Sequence, residues 1–183
     1  MKLILASNNK AKLREFRRMF EGTEVELVSQ REAGFDIEVE ENGTSFEENS
    51  YIKAKTITDL SGCAAIADDS GIEVDCLGGE PGIYSARYGV GHEASDEERN
   101  NYMLAKMGDS QDRTARYVCA VCCTMPNGDV IRTRGECEGD ILFSPRVRPA
   151  TRWQRRVRQS RFRESERSLC STSAMRKSRK SCS

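Results

Sequence analysis

This chain of 183 residues has little of what marks several familiar classes of protein. It has one histidine, His92, which lies in a polar loop where we expect it to be solvated. It has no continuous run of about 18 apolar residues, so the sequence predicts no membrane-spanning helix. Its first residues combine a single lysine with a short apolar stretch, which does not resemble a signal peptide. We therefore expect a cytoplasmic protein with no membrane partner.

The cysteines are numerous but lack the spacing of a zinc site. Among the eight cysteines, Cys119 and Cys122 form one Cys-x-x-Cys pair. A structural zinc site usually needs a second such pair or nearby histidines, and neither is present. The missing partners favour free, mostly buried thiols over metal ligands.

Charge is balanced over the whole chain, with 29 basic and 29 acidic residues, but it is unevenly distributed. Residues 146–183 hold 13 lysines and arginines against two acidic residues, and they contain no glycine and no aspartate. Their lack of apolar periodicity is typical of disordered or weakly helical chain. The sequence therefore predicts a folded domain over residues 1–145, long enough to bury a core, and a basic Arg/Ser-rich tail over residues 146–183.

The most informative segment is residues 67–75, with the sequence ADDSGIEVD, which follows a short apolar run. A strand that ends in Asp-Asp-Ser-Gly would present hard oxygen ligands at a sheet edge, within reach of a divalent cation and a phosphate chain. The alternative is a polar turn between two strands, since Asp, Ser and Gly are common turn formers. Taken alone, this short segment favours the turn.

A second segment lies at the N-terminus, where a short buried strand is followed by apolar residues at helical spacing. Ser7, Asn8 and Asn9 stand at the junction, where a helix N-cap belongs. A helix start offers unpaired N–H donors and the positive end of the helix dipole, and Lys10 and Lys12 add charge that suits a polyphosphate. The alternative is an ordinary capped helix with solvated lysines.

A third segment, residues 38–55, opens the next predicted helix. Ser45 and Glu48 have the spacing of a capping box. Acidic residues in the first turn of a helix are favoured by its dipole. That explanation does not account for Glu40 and Glu41, which precede the helix.

Together the three segments resemble the inosine/xanthosine triphosphate pyrophosphatase family, which removes nonstandard purine nucleotides. The resemblance covers about residues 1–145 and is carried by the stretches 7–12 (SNNKAK), 40–54, 67–71 (ADDSG) and 77–88 (LGGEPGIYSARY). It implies a Mg²⁺-dependent hydrolase that cuts inosine, deoxyinosine and xanthosine triphosphates between the α and β phosphates. The products would be a nucleoside monophosphate and pyrophosphate.

The resemblance also implies roles for individual residues. Asp69 would accept the proton of the attacking water, and Asp68 would support it. Glu40 or Glu41, with Asp68 and Asp69, would hold Mg²⁺ directly or through water. The triphosphate would be bound by Ser7, Asn8, Asn9, Lys10, Ala11, Lys12, Lys53 and Ser70. Such a set agrees with phosphoryl-transfer chemistry, which needs positioning and charge neutralisation more than covalent catalysis.

The pattern of elements predicts an α/β fold, a mixed twisted sheet with flanking helices. The predicted strands are residues 2–6, 24–28, 63–67, 72–75, 115–125 and 129–139, and the predicted helices are residues 9–20, 45–60 and 95–107, with a long loop at residues 78–94. The resemblance adds a two-lobed form with the active cleft between the lobes, and a homodimer.

The resemblance ends near Pro145. The family's Gly-Phe-Gly-Tyr-Asp and Ser-His-Arg segments, which close over the purine base, are absent from this sequence. Either the tail is the product of a shifted reading frame, or it is a basic extension in which Trp153 and Phe162 could stack on nucleic-acid bases. We favour the frame shift, because the break falls inside the family's domain rather than after it. Sequencing the locus would decide between the two.

An incomplete second lobe has consequences for stability. The predicted hairpin would lose its cover, and we expect Val118, Val121 and Ile131 to be exposed and the chain to be poorly stable and weakly active. Three functions therefore stay open: the hydrolase, a nucleotide-binding relative without turnover, and a nucleic-acid-binding protein that acts through its tail. We expect the hydrolase, with no nucleic-acid partner.

Overall fold

A computed structural model describes residues 1–89, 91 and 94–144. His92 and the tail at residues 146–183 lie outside these described residues, so the predictions made for them stay predictions. The described chain forms a five-stranded mixed sheet with helices packed against it, which confirms the predicted α/β class. No helix in this part of the chain is long and apolar enough to cross a bilayer.

The sheet has the strand order β2-β1-β3-β4-β5. Strand β1 is parallel to both of its neighbours, and β4 is antiparallel to both of its own. The strands are β1 (Lys2–Leu5), β2 (Glu26–Ser29), β3 (Ala64–Val74), β4 (Thr114–Thr124) and β5 (Val130–Asp140). The helices are α1 (Lys10–Met19), α2 (Phe46–Ser61) and α3 (Asp96–Met107), with 3-10 turns at Asp75–Leu77 and Gly82–Tyr84.

The acidic segment is neither the end of a strand nor a turn. Residues 63–67 and 72–75 were predicted as two strands, but the structure has one continuous strand through Asp68, Asp69, Ser70 and Gly71. Strand β4 pairs with β3 at every position from residue 65 to residue 74 without a bulge. This long antiparallel ladder keeps the polar segment extended despite its turn-forming composition.

The first two helices begin where the sequence predicts. Asn9 caps α1, and its side chain accepts hydrogen bonds from the backbone N–H groups of Ala11 (2.8 Å) and Lys12 (3.4 Å). Ser45 caps α2 by accepting from the N–H of Glu48 at 3.1 Å. These bonds satisfy N–H groups that would otherwise have no partner within the helix.

The two helices pack on opposite faces of the sheet. Phe16 of α1 packs against Leu5 and Ile66, whereas Ile57 of α2 packs against Ala65. Because side chains alternate along a strand, the even-numbered residues in this part of β3 face α1 and the odd-numbered ones face α2. The same alternation continues into the acidic segment.

The expected exposure of the hairpin is only partly found. The prediction for Val118 is wrong, because it is 1% exposed and packs against Phe46 at the start of α2. Val121 is partly buried on the α1 face. Ile131 is 58% exposed, and nearly every residue of β5 is exposed.

Candidate active site

The acidic segment lies where β3 loses one of its neighbours. Strand β1 ends at Leu5, and the last contact on that side is from the N–H of Ala6 to the carbonyl of Ile66 (2.8 Å). Beyond it, within the described chain, no strand pairs with β3 on this side until a loop covers the edge. The resulting opening adjoins the carboxyl ends of the parallel strands, the position at which open α/β sheets bind ligands.

Hydrogen bonds between the loop and β3 close the far end of this opening. The N–H of Ile72 donates to Ser85 Oγ (2.9 Å), and the N–H of Val74 donates to the carbonyl of Glu80 (3.1 Å). This loop is the LGGEPGIYSARY stretch that carried part of the resemblance. Its role in the structure is to hold the second half of β3 at the rim of the opening.

The predicted site residues form two groups, one on each face of β3. Asp68 faces α1, and its Oδ2 pairs with Lys12 Nζ at 2.7 Å. Asp69 faces α2, and its Oδ1 lies 3.5 Å from Lys53 Nζ. The groups are adjacent along the chain and flank the same opening, because no neighbouring strand separates them there.

The α2-side group is built from α2, β3 and the segment before α2. Lys53 is 9% exposed, and its Nζ donates to Glu41 Oε1 at 2.8 Å. The buried Asn49 donates from Nδ2 to Asp69 Oδ2 at 3.1 Å. Of the two candidate glutamates, Glu41 therefore lies in the group, whereas Glu40 is exposed one residue earlier.

Burial raises the pKa of the Asp69 carboxyl group above its ordinary value. The nearby Lys53 ammonium offsets this increase in part, and the negative charge of Glu41 adds to it. A carboxylate with a raised pKa is a better proton acceptor than a solvated one.

The α1-side group contains an unsatisfied atom. Asp68 is 7% exposed, and its Oδ1 is buried with no hydrogen-bond partner in the described structure. A buried carboxylate oxygen without a partner costs free energy, so this atom is suited to a ligand proton or cation. The start of α1 lies on the same side of the sheet, with Asn8 and Lys10 exposed and Ser7 half-buried.

The remaining predicted residues have local partners. Ser7 Oγ accepts from the N–H of Asn9 at 3.1 Å, and Ala11 is an exposed residue of the first turn of α1. The N–H of Ser70 donates to the carboxylate of Asp69 at 3.1 Å.

The described residues contain no cluster of three or more histidine, cysteine or acidic side chains that could hold a metal by itself. Mg²⁺ does not require one, because it is usually held by one or two carboxylates, with phosphate oxygens and water completing its shell. Such a site could be formed by carboxylate oxygens of Glu41 and Asp69, which both contact Lys53, and by the oxygen of Asp68 that has no partner.

Sequence reasoning missed the role of Asn49. Four residues separate Asn49 from Lys53, so both lie on one face of α2, and this spacing is the signal that could have identified it. The contact between Gly71 and the loop at Gly82 and Ser85 was also missed, since no local pattern reveals a contact between distant segments.

Lysines and carboxylates lie together at the open edge of this α/β sheet, beyond its parallel strands. This arrangement is typical of proteins that bind a phosphorylated ligand. Comparison with known proteins is more specific. The chain belongs to the Ham1 family, whose model matches residues 3–179.

Individual relatives agree with this assignment. A protein of Exiguobacterium sp. named dITP/XTP pyrophosphatase is 44% identical over 145 residues, which span 79% of this chain and 74% of the relative. A protein of the same name from Symbiobacterium thermophilum is 45% identical over 150 residues, covering 79% of this chain and 72% of the relative.

Solved structures of the family have the same fold. The Ham1 protein of Staphylococcus aureus superposes with a TM-score of 0.77 at 32% identity, covering 87% of this chain and 84% of the other. A nucleoside-triphosphatase, also named dITP/XTP pyrophosphatase, from Mycobacterium abscessus gives a TM-score of 0.72 at 36% identity, covering 82% of this chain and 80% of the other.

Proposed function

We propose that this chain hydrolyses inosine, deoxyinosine and xanthosine triphosphates to the nucleoside monophosphate and pyrophosphate, and so cleanses the nucleotide pool of the cytoplasm. The observation that carries the proposal is the contact of Lys53 with both Glu41 and Asp69 beside the open edge of β3. The names of the relatives support the choice of nucleotides.

The two lysines are suited to receive the triphosphate. Lys12 is paired with Asp68, and Lys53 is shared between Glu41 and Asp69. An incoming polyphosphate offers each ammonium group a stronger anionic partner, while the dipole of α1 favours negative charge at its start. Ser7 to Lys12, Lys53 and Ser70 would then surround the phosphates.

The carboxylates are suited to hold a divalent cation and to accept a proton. Glu41 and Asp69, with Asp68 and Glu40 as further oxygen donors, would hold Mg²⁺, which supplies charge neutralisation at the phosphates. Asp69 would take a proton from the attacking water as the water oxygen forms the new bond to the α phosphorus. The anhydride bond between the α and β phosphates breaks, and pyrophosphate leaves.

The assay that tests this proposal measures pyrophosphate release from inosine, xanthosine, guanosine and adenosine triphosphates, with Mg²⁺ and with EDTA. We expect inosine and xanthosine triphosphates to be preferred and EDTA to stop the reaction. Asp69→Asn should lower kcat by about 100- to 10,000-fold, the usual contribution of a general base. Its folding should be nearly intact, because an amide keeps the shape of the carboxylate.

Asp59→Asn is the matched control, because Asp59 is an exposed partner of Lys55 on the outer side of α2. It should leave kcat unchanged. Wild-type activity in Asp69→Asn would contradict the assignment of the base. Tight nucleotide binding without pyrophosphate release would instead identify a relative that has lost turnover. We also propose a two-lobed homodimer, as the family resemblance implies.

A further inference from the structure

Asn49 contacts the carboxylate oxygen of Asp69 that is further from Lys53: Asn49 bonds to Oδ2, and Lys53 lies near Oδ1. Asn49 is 0% exposed and lies in the first turns of α2. Its Nδ2 donates to Asp69 Oδ2 at 3.1 Å, and its Oδ1 accepts from the N–H of Gly43 at 2.9 Å. A backbone N–H can only donate, so the amide oxygen must face Gly43 and the amide nitrogen must face the carboxylate.

The contact with Gly43 is tight. A Cβ atom at Gly43 would lie 2.7 Å from Asn49 Oδ1, closer than two such atoms approach. The chain just after Glu41 therefore lies directly against the amide of Asn49. One side chain thus joins the segment that carries Glu41 to the strand that carries Asp69.

The two contacts of Asp69 differ in how they would respond to substrate. Lys53 lies 3.5 Å from Asp69 Oδ1 and is drawn to any phosphate that enters. Asn49 is neutral and fully buried, so an incoming phosphate would not attract its side chain away from Asp69 in the same way. The hydrogen bond from Asn49 is then the one that keeps the carboxylate oriented while Lys53 binds the triphosphate.

We propose that Asn49 is a positioning residue. It fixes the orientation of the Asp69 carboxylate and its position relative to the segment that carries Glu41, and it does so throughout turnover. The proposal rests on the proposed function of Asp69 as proton acceptor. Partners that orient a metal-binding or catalytic carboxylate typically contribute about 10- to 100-fold to metal affinity or activity.

Two variants test the two contacts. Asn49→Ser shortens the side chain and removes both of them, whereas Asn49→Asp keeps the acceptor for Gly43 and replaces the amide donor by a carboxyl group that either repels Asp69 or shares a proton with it. We expect kcat with inosine triphosphate and Mg²⁺ to fall about 10- to 100-fold in both variants. KM for the nucleotide should change much less, because Lys12 and Lys53 are untouched. A normal kcat in Asn49→Ser would overturn the proposal.

Thr58→Val is the control for simple loss of stability. Thr58 is buried on the same helix, and its hydroxyl bonds to the Thr124 hydroxyl at 2.6 Å, away from the site. This variant should melt at a lower temperature with an unchanged kcat. If Thr58→Val lowers kcat as much as Asn49→Ser does, the effect of Asn49 is structural and the proposal is wrong.

A measurement without turnover distinguishes this proposal from the proposed function. Calorimetry can follow the binding of the α,β-methylene analogue of inosine triphosphate as Mg²⁺ is varied. We expect Asn49→Ser to need about tenfold more Mg²⁺ for half-maximal binding than the wild type or Thr58→Val. This result would support the role of Asn49 even if the wild type releases no pyrophosphate, in which case the proposed function alone fails. An unchanged Mg²⁺ requirement, or no Mg²⁺-dependent binding in the wild type, would overturn the role of Asn49.

Discussion

Gly71 determines how β3 meets the loop at the rim of the candidate site. A Cβ atom at Gly71 would lie 2.5 Å from the carbonyl oxygen of Gly82 and would also meet Ser85 Oγ. The N–H of Ile72 in β3 donates to that same Ser85 Oγ at 2.9 Å, so the loop cannot move away from the strand without losing a hydrogen bond. The absence of a side chain at Gly71 therefore allows the loop to cover the strand directly after Asp69 and Ser70.

We expect Gly71→Ala to lower the free energy of unfolding by about 1–3 kcal/mol, the usual cost of forcing a group into a packed interior. Gly135→Ala is a matched control, because Gly135 lies in β5 and a Cβ atom there would meet nothing within 4 Å. That control should be neutral or stabilising, since alanine restricts the unfolded chain more than glycine does. Urea unfolding monitored by circular dichroism compares the two, and equal effects would contradict the packing argument.

Residue type and order were enough to name candidates for the site, namely lysines near a helix start and carboxylates in the ADDSG stretch. They were not enough to say which of these side chains lie together. The sequence left Glu40 and Glu41 equivalent, and the structure places Glu41 against Lys53. That difference depends on how an irregular segment approaches another helix, and no local periodicity encodes it.

Strand β3 shows why the bounds of an element cannot always be predicted from the local sequence. Asp, Ser and Gly disfavour strands, so residues 68–71 were expected to end one. Pairing with β4, a strand some 50 residues further along the chain, gives a continuous ladder from residue 65 to residue 74. Helix starts were recovered better, because a cap such as Asn9 or Ser45 acts within a few residues of itself.

The start of α2 is tied to β5 by an ion pair with a predictable dependence on pH. Arg134 Nη1 lies 2.9 Å from Glu47 Oε1, and this hydrogen bond lowers the pKa of Glu47 below its ordinary value. A carboxylate with a lowered pKa in the folded state adds stability at pH values above its unfolded pKa. That stability is lost as the pH falls through the folded-state pKa.

Glu47→Gln should therefore cost about 0.2–1 kcal/mol at pH 7, as expected for a half-buried surface pair. The difference from wild type should shrink as the pH falls below the unfolded pKa and vanish once Glu47 is protonated in the folded protein. Glu97→Gln, in the first turn of α3, controls for loss of a charge at a helix start. Urea unfolding at neutral and acidic pH measures both variants, and a constant difference across pH would contradict the pairing.

The whole molecule has apolar clusters at both ends of β3, with the candidate site between them. One end packs β1, the first half of β3, α1 and α2. The other end packs α3 and the second half of β3 through Ile72, Val74, Tyr88, Met103, Met107, Ala115 and Ile141. The sequence predicted the α/β class because strands and helices alternate, but it did not predict that two long strands would run through both clusters.

This arrangement predicts different effects of cavities at the two ends of β3. A cavity in the α3 cluster should lower stability alone, whereas a cavity beneath α2 should lower both stability and turnover. Met107→Ala should lower the free energy of unfolding by about 2–5 kcal/mol, since Met107 is 4% exposed in the α3 cluster. Helix α3, on which Met107 lies, carries none of the candidate site residues, so kcat should be retained well below the melting temperature.

Ile57→Ala should cost similar stability and also reduce kcat. Ile57 is fully buried one turn beyond Lys53 on α2, and a cavity beneath that helix would shift Lys53 and Asn49 relative to Asp69. Thermal melts and pyrophosphate release, measured on both variants at one temperature where each is folded, give the comparison. An equal loss of kcat in Met107→Ala would mean that the site depends on both clusters as a single packed unit, since β3 and β4 would then transmit the cavity along their full length.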